Sequence, residues 1–210
     1  PQPWLDFSIS RPGIWMKTIA QAQKTLENVR NGTGTVQDTQ ESFQRLLRSA
    51  ITRDEKFLPL AKKYFDLSDL MAVIQRMIGT GLIGGKSLGM LLARAILRKN
   101  APHLAERLET HDSFFLGSDV FYTYLVQNRC WDLRRKANDL NFLTSHIDET
   151  RQKMLSGVFP DYIQRQFMEM LDYFGQSPII VRSSSLLEDS YGNAFSGKYD
   201  TVFCANQGTP

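Results

Sequence analysis

Ile179-Ile180-Val181-Arg182-Ser183-Ser184-Ser185-Leu186-Leu187-Glu188-Asp189-Ser190 joins a short apolar, mostly β-branched run to an arginine, three serines and a pair of acids. Such a run reads as a strand buried on both faces. Arg182 then leaves the strand at its carboxyl end, where open sheets place their ligands. An arginine beside three small hydroxyls suits an oxyanion, because the guanidinium offers a bidentate fork and small side chains let the backbone approach. The same residues also permit an ion pair from Arg182 to Glu188 or Asp189. Both readings stay open on local chemistry.

Downstream, Ala194–Ser196 and Tyr199–Cys204 read as two strands forming a small antiparallel element around Gly197. The segment from Ser190 to Thr201, with its two glycines and small residues, suits a loop closing over phosphates, although ordinary hairpins share that composition. Upstream, Gly175-Gln176-Ser177-Pro178 turns into the Ile179 strand, and Pro160 opens a helix over Asp161–Phe174. Further helical pieces reach back to about residue 120, where Gly117-Ser118-Asp119 reads as a cap. Ser113–Leu116 reads as a short strand before it.

A second cluster, Gly79-Thr80-Gly81-Leu82-Ile83-Gly84-Gly85-Lys86-Ser87, precedes an amphipathic helix with Leu88, Leu91, Leu92, Ala95 and Ile96 on one stripe. It misses the Walker A pattern by one residue: the required glycine position holds Thr80, flanked by Gly79 and Gly81. The preceding residues, capped by Asp66 or Ser68, read as a helix running through Met77 rather than the strand a P-loop needs. A glycine-rich turn opening a helix still suits an anion, since free N–H groups and the helix dipole favour one and Lys86 adds a charge. A plain helix connection with a surface lysine is the alternative. Before residue 75 the spacing is helical, over Ile14–Val29, from Val36 through Ile51, and over Asp54–Tyr64 with a restart at Pro59. Residues 1–13 read as an extended lead-in.

Composition narrows the classes. Apolar content of 42% and charged content of 22% are ordinary for a globular protein. A net charge of +3 does not point to nucleic acid or an acidic membrane, and no apolar run has the length of a bilayer span. Cys130 and Cys204 share no motif and read as reduced core thiols; His103, His111 and His146 lack ligand spacing, so no metal is expected within the chain. Cytoplasm is the default location. Thr209-Pro210 is a helix-start signal, so a longer protein is expected.

Taken in order, Gly84-Gly85-Lys86, Val181-Arg182-Ser183-Ser184, Glu188-Asp189 and Phe195-Ser196-Gly197-Lys198-Tyr199-Asp200-Thr201 resemble the amino-terminal nucleotide-binding domain of the phosphoenolpyruvate synthase and pyruvate phosphate dikinase family. The resemblance covers about residues 78–207. Residues 1–75 lie outside it and read from their spacing as a helical region of unknown role; over 76–210 the resemblance implies the first part of an ATP-grasp-like domain with a small mixed sheet, so the expected fold is α+β. The same resemblance implies that Lys86 and Arg182 contact ATP phosphates, that Gly84, Gly85, Ser183, Ser184, Glu188 and Asp189 line the nucleotide, and that Ser196, Gly197 and Thr201 belong to a loop over it. The family passes a phosphoryl group from ATP to a histidine on a separate domain, then to pyruvate or a related acceptor at a further domain. Magnesium ligands are expected beyond residue 210, so the isolated chain is expected to be inactive. A dikinase acting on a glucan or an antibiotic shares the same ATP half. A non-catalytic nucleotide-sensing or protein-interaction module on this fold is the reading from another class.

Overall fold

The computed structural model describes residues 13–109, 112–136, 138–185, 188–190, 193–195, 197 and 199–208. The lead-in expected over residues 1–13 therefore falls outside the described residues up to residue 12. The chain packs as two compact units, and neither is one continuous stretch. The first takes the residues through Arg76 together with Gly85–Ser113, and the second takes Met77–Gly84 and the residues from Phe114 onward.

The first unit is all helix. It contains α1 (Ile14–Arg30), α2 (Val36–Leu46) running into a π-helical turn (Leu47–Ile51), α3 (Leu58–Tyr64), α4 (Leu67–Ile74), α5 (Gly85–Asn100) and α6 (Pro102–Ala105). Local chemistry sets the boundaries. The Thr35 hydroxyl accepts from the Asp38 N–H to cap α2. Pro59 sits in the first turn of α3, where its missing N–H costs nothing. Asp66 and Asp69 form a reciprocal capping box that opens α4. Leu46, Leu47, Ala50, Ile51, Leu58 and Leu70 are buried, and α5 adds Leu88, Leu92 and Ala95 from its apolar stripe. Off that stripe, Arg98 pairs with Asp69 at 2.7 Å and the Lys99 ammonium donates to the Lys63 carbonyl at 2.8 Å, so these cations fasten α5 within its unit.

The second unit is mixed. The pair β1 (Met77–Ile78) and β2 (Phe115–Leu116) is parallel, and α7 (Ser118–Gln127), α8 (Trp131–Lys136), α9 (Leu140–Leu155, kinked at His146) and α10 (Asp161–Phe174) follow. Its core gathers Ile78, Val120 and Ile163, with Phe159, Phe167 and Met170 packed against them. The Pro160 carbonyl accepts from the Ile163 and Gln164 amides to start α10, which ends at Gly175 with φ 57°. Four short strands close the unit: β3 (Ile179–Arg182), β4 (Asp189–Ser190), β5 (Asn193–Ala194) and β6 (Thr201–Cys204). The fold is α+β, as expected.

Three local expectations are corrected. The helix expected through Met77 stops at Ile74, and Met77–Ile78 is extended because it pairs with β2. The antiparallel element around Gly197 is nested differently: β6 pairs with β3, while β5 pairs with β4. Pairing is non-local, so a local turn signal could not assign it. Finally, β3 is not buried on both faces, since Ile180 is 51% and Val181 50% exposed. Its β-branched run sets an extended backbone, whereas coverage depends on what lies over it. Cys130 is buried and Cys204 half-buried, both as free thiols. Among the described residues, no helix is long and apolar enough to cross a membrane.

Candidate functional site

The glycine cluster leaves β1 as a tight loop strapped to the start of α7. Gly79 and Gly81 have φ of 75° and 89°, a region that side chains disfavour. The Gly79 N–H donates to the Gln166 side-chain oxygen of α10 at 2.9 Å. The Thr80 N–H donates to one oxygen of the Asp119 carboxylate at 2.6 Å and its hydroxyl to the other at 2.9 Å. The Leu82 N–H donates to the Ser118 hydroxyl at 3.2 Å. These three loop amides, which precede the first turn of α5, are already satisfied, one of them by a protein carboxylate. Thr80, which breaks the Walker pattern, is the residue that grips it.

The loop then meets the arginine-serine motif. A Cβ placed on Gly84 would collide with the Ser184 carbonyl and side chain, so the two backbones touch there. Only glycine permits that approach. Lys86 follows two residues later, half-buried in the first turn of α5.

Two short antiparallel ladders flank Ser184 in the chain: Ile179–Arg182 pairs with Thr201–Cys204, with Arg182 opposite Thr201, and Asp189–Ser190 pairs with Asn193–Ala194. Between these ladders the Ser183 hydroxyl donates to the Glu188 carboxylate at 2.8 Å, and the Phe195 N–H donates to the Glu188 carbonyl at 2.9 Å. Glu188 is 8% exposed. The Ser185 hydroxyl donates to the Tyr199 hydroxyl at 3.1 Å. Among the described residues Arg182 is exposed and enters no ion pair, so the alternative of a structural pair with Glu188 is not what forms.

Of the expected site residues, Gly84, Arg182, Ser183, Ser184, Glu188, Asp189, Gly197 and Thr201 belong to the second unit, and Gly85 and Lys86 to the first. Gly197 lies in a turn with φ 83°. Ser196 lies outside the described residues, as do Lys198, Leu186 and Leu187. The sequence reading missed Ser118, Asp119 and Gln166 as loop anchors. It took Gly117-Ser118-Asp119 for a helix cap, but no side chain caps α7.

The Gly84–Ser184 contact brings together two closely approaching backbones and small hydroxyls, with Arg182 two residues before Ser184 in the sequence and Lys86 two residues after Gly84. That chemistry fits a phosphate-bearing ligand. It does not fit a self-sufficient metal site: among the described residues no three His, Cys, Asp or Glu side chains are grouped to hold an ion.

Residues 80–210, more than half of the chain, match the family model described as pyruvate phosphate dikinase, AMP/ATP-binding domain. No curated protein and no solved structure matches.

Proposed function

Because the chain belongs to the pyruvate phosphate dikinase AMP/ATP-binding domain family, and is thus the nucleotide-binding part of a dikinase, we propose that Lys86 and Arg182 bind the phosphates of ATP for phosphoryl transfer. In this reading the acceptor is a histidine on a separate domain of a longer chain, which passes the group to pyruvate or a related acid on a further domain. ATP supplies the transferable phosphoryl group. This chain's residues neutralise and orient it, which is most of what such transfers require. Lys86 acts as a point charge at the start of a helix, and Arg182 as a planar fork at the end of a strand.

Gly84, Gly85, Ser183 and Ser184 let the backbone approach and offer short donors. Glu188 orients Ser183, while Asp189, Gly197 and Thr201 would lie over the nucleotide, and Ser196 is assigned to the same role from its place in the motif. Magnesium would accompany the nucleotide and neutralise its phosphates; among the described residues no three His, Cys, Asp or Glu side chains are grouped to hold it, so its acidic ligands would come from outside this set. The two free thiols and ordinary composition favour the cytoplasm.

The observation that carries this reading is the backbone contact of Gly84 with Ser184, which brings together two motifs about a hundred residues apart. The test is ATP-dependent autophosphorylation of the full-length protein. Lys86→Ala and Arg182→Ala should each lower its rate by about a hundredfold, the usual effect of deleting one charge-stabilising donor, while circular dichroism stays unchanged. Wild-type rates in both variants would remove the assignment.

A further inference from the structure

The loop bonds give Asp119 a job that none of the binding motifs contains. Its two carboxylate oxygens take both donors of Thr80, at 2.6 and 2.9 Å, and its own N–H returns a bond to the Thr80 carbonyl at 3.4 Å. Ser118 makes a second reciprocal pair, accepting from the Leu82 N–H at 3.2 Å and donating its own to the Leu82 carbonyl at 3.1 Å. The approach is close enough that a Cβ on Gly117 would strike the Thr80 carbonyl. A segment with glycines at positions 79, 81 and 84 is otherwise free to sample many conformations, and ordering each residue costs about 1–2 kcal/mol. Where that cost is met before the ligand arrives, it is not subtracted from affinity.

We infer that Asp119 is a positioning residue for nucleotide binding: by holding the amide and hydroxyl of Thr80 it fixes the glycine loop so that Gly84 stays against Ser184. The amides of Gly79, Thr80 and Leu82 are engaged in anchoring the loop, so the cations that flank the Gly84–Ser184 contact along the chain are the groups assigned to phosphate. The inference rests on the assignment of Gly84, Lys86, Arg182 and Ser184 to ATP.

Calorimetric titration of ATP into the full-length protein tests it. Asp119→Ala should weaken ATP binding about tenfold, the equivalent of one lost charge-assisted hydrogen bond. Asp119→Asn keeps an acceptor for the Thr80 N–H and gains a donor for its hydroxyl oxygen, so affinity should return to within about threefold of wild type. Thr80→Ser, which keeps both donors, should bind as wild type. If Asp119→Ala lowers the melting temperature but binds ATP normally while Lys86→Ala does not, Asp119 serves the fold alone and the inference is overturned with the functional reading intact. If Lys86→Ala and Arg182→Ala both bind normally, that reading falls and takes this inference with it. Should Asp119→Ala not fold, Thr80→Val removes only the hydroxyl donor; binding about threefold weaker is expected, and unchanged affinity overturns the proposal.

Discussion

Gly84 and Gly89 stand five positions apart and should respond oppositely to the same change. A methyl group on Gly84 meets the Ser184 carbonyl, so Gly84→Ala should destabilise by about 1–3 kcal/mol, as overpacking does. Gly89 lies exposed inside α5 with nothing near its missing Cβ, so Gly89→Ala should stabilise by about 0.5–1 kcal/mol. Urea denaturation of both variants beside wild type checks the pair. At this scale the sequence identifies Gly84-Gly85-Lys86 as a turn entering a helix, and it identifies Arg182 as the end of a strand. It conceals Asp119, because a helix cap and a loop anchor draw on the same residue types. What separates them is a partner 39 positions away, and local spacing carries no sign of it.

The start of α4 shows how a single element answers to pH. Asp66 is partly withdrawn from water, which raises its pKa. Bonds from the Ser68 hydroxyl and from the Asp69 and Ser68 amides more than reverse this, together with the charge of Arg98, and hold it below the ordinary aspartate value. The folded value lies below the unfolded one, so the carboxylate's contribution is complete above about pH 4 and fades as pH falls through the folded value. Asp66→Ala should therefore cost about 1 kcal/mol near neutrality, and its gap from wild type should narrow in acid. Urea midpoints measured across that range decide the matter; a gap that stays constant with pH would rule out the carboxylate as the source. Helices such as α1, α2, α5 and α10 are legible because their apolar spacing and their breakers lie within them. The partner of β6 is not, since Gly197 offers a plausible local turn while the actual pairing skips over β4 and β5 to reach β3.

For the molecule as a whole, the family match from residue 80 onward agrees with the motif order, and the nucleotide-binding character was legible through the resemblance those ordered motifs carry. The assignment of α5 was not. Its apolar stripe shows that it packs against something, yet periodicity does not name the partner. Calorimetry on the isolated 210-residue chain should find ATP binding at least about tenfold weaker than in the full-length protein, as expected if part of the phosphate site is supplied elsewhere. Equal, magnesium-dependent affinity would show that the chain already holds the complete site. The interleaving of the two units also constrains anyone who cuts the gene. The polypeptide passes between them at residues 76–77, 84–85 and 113–114, so no single excision isolates either one. A clone ending at residue 76 would lack the amphipathic helix bearing Leu88, Leu92 and Ala95, and would bare the greasy seam it covers. Such a truncation should emerge from the ribosome insoluble, and tags or linkers belong at the termini rather than at these crossings.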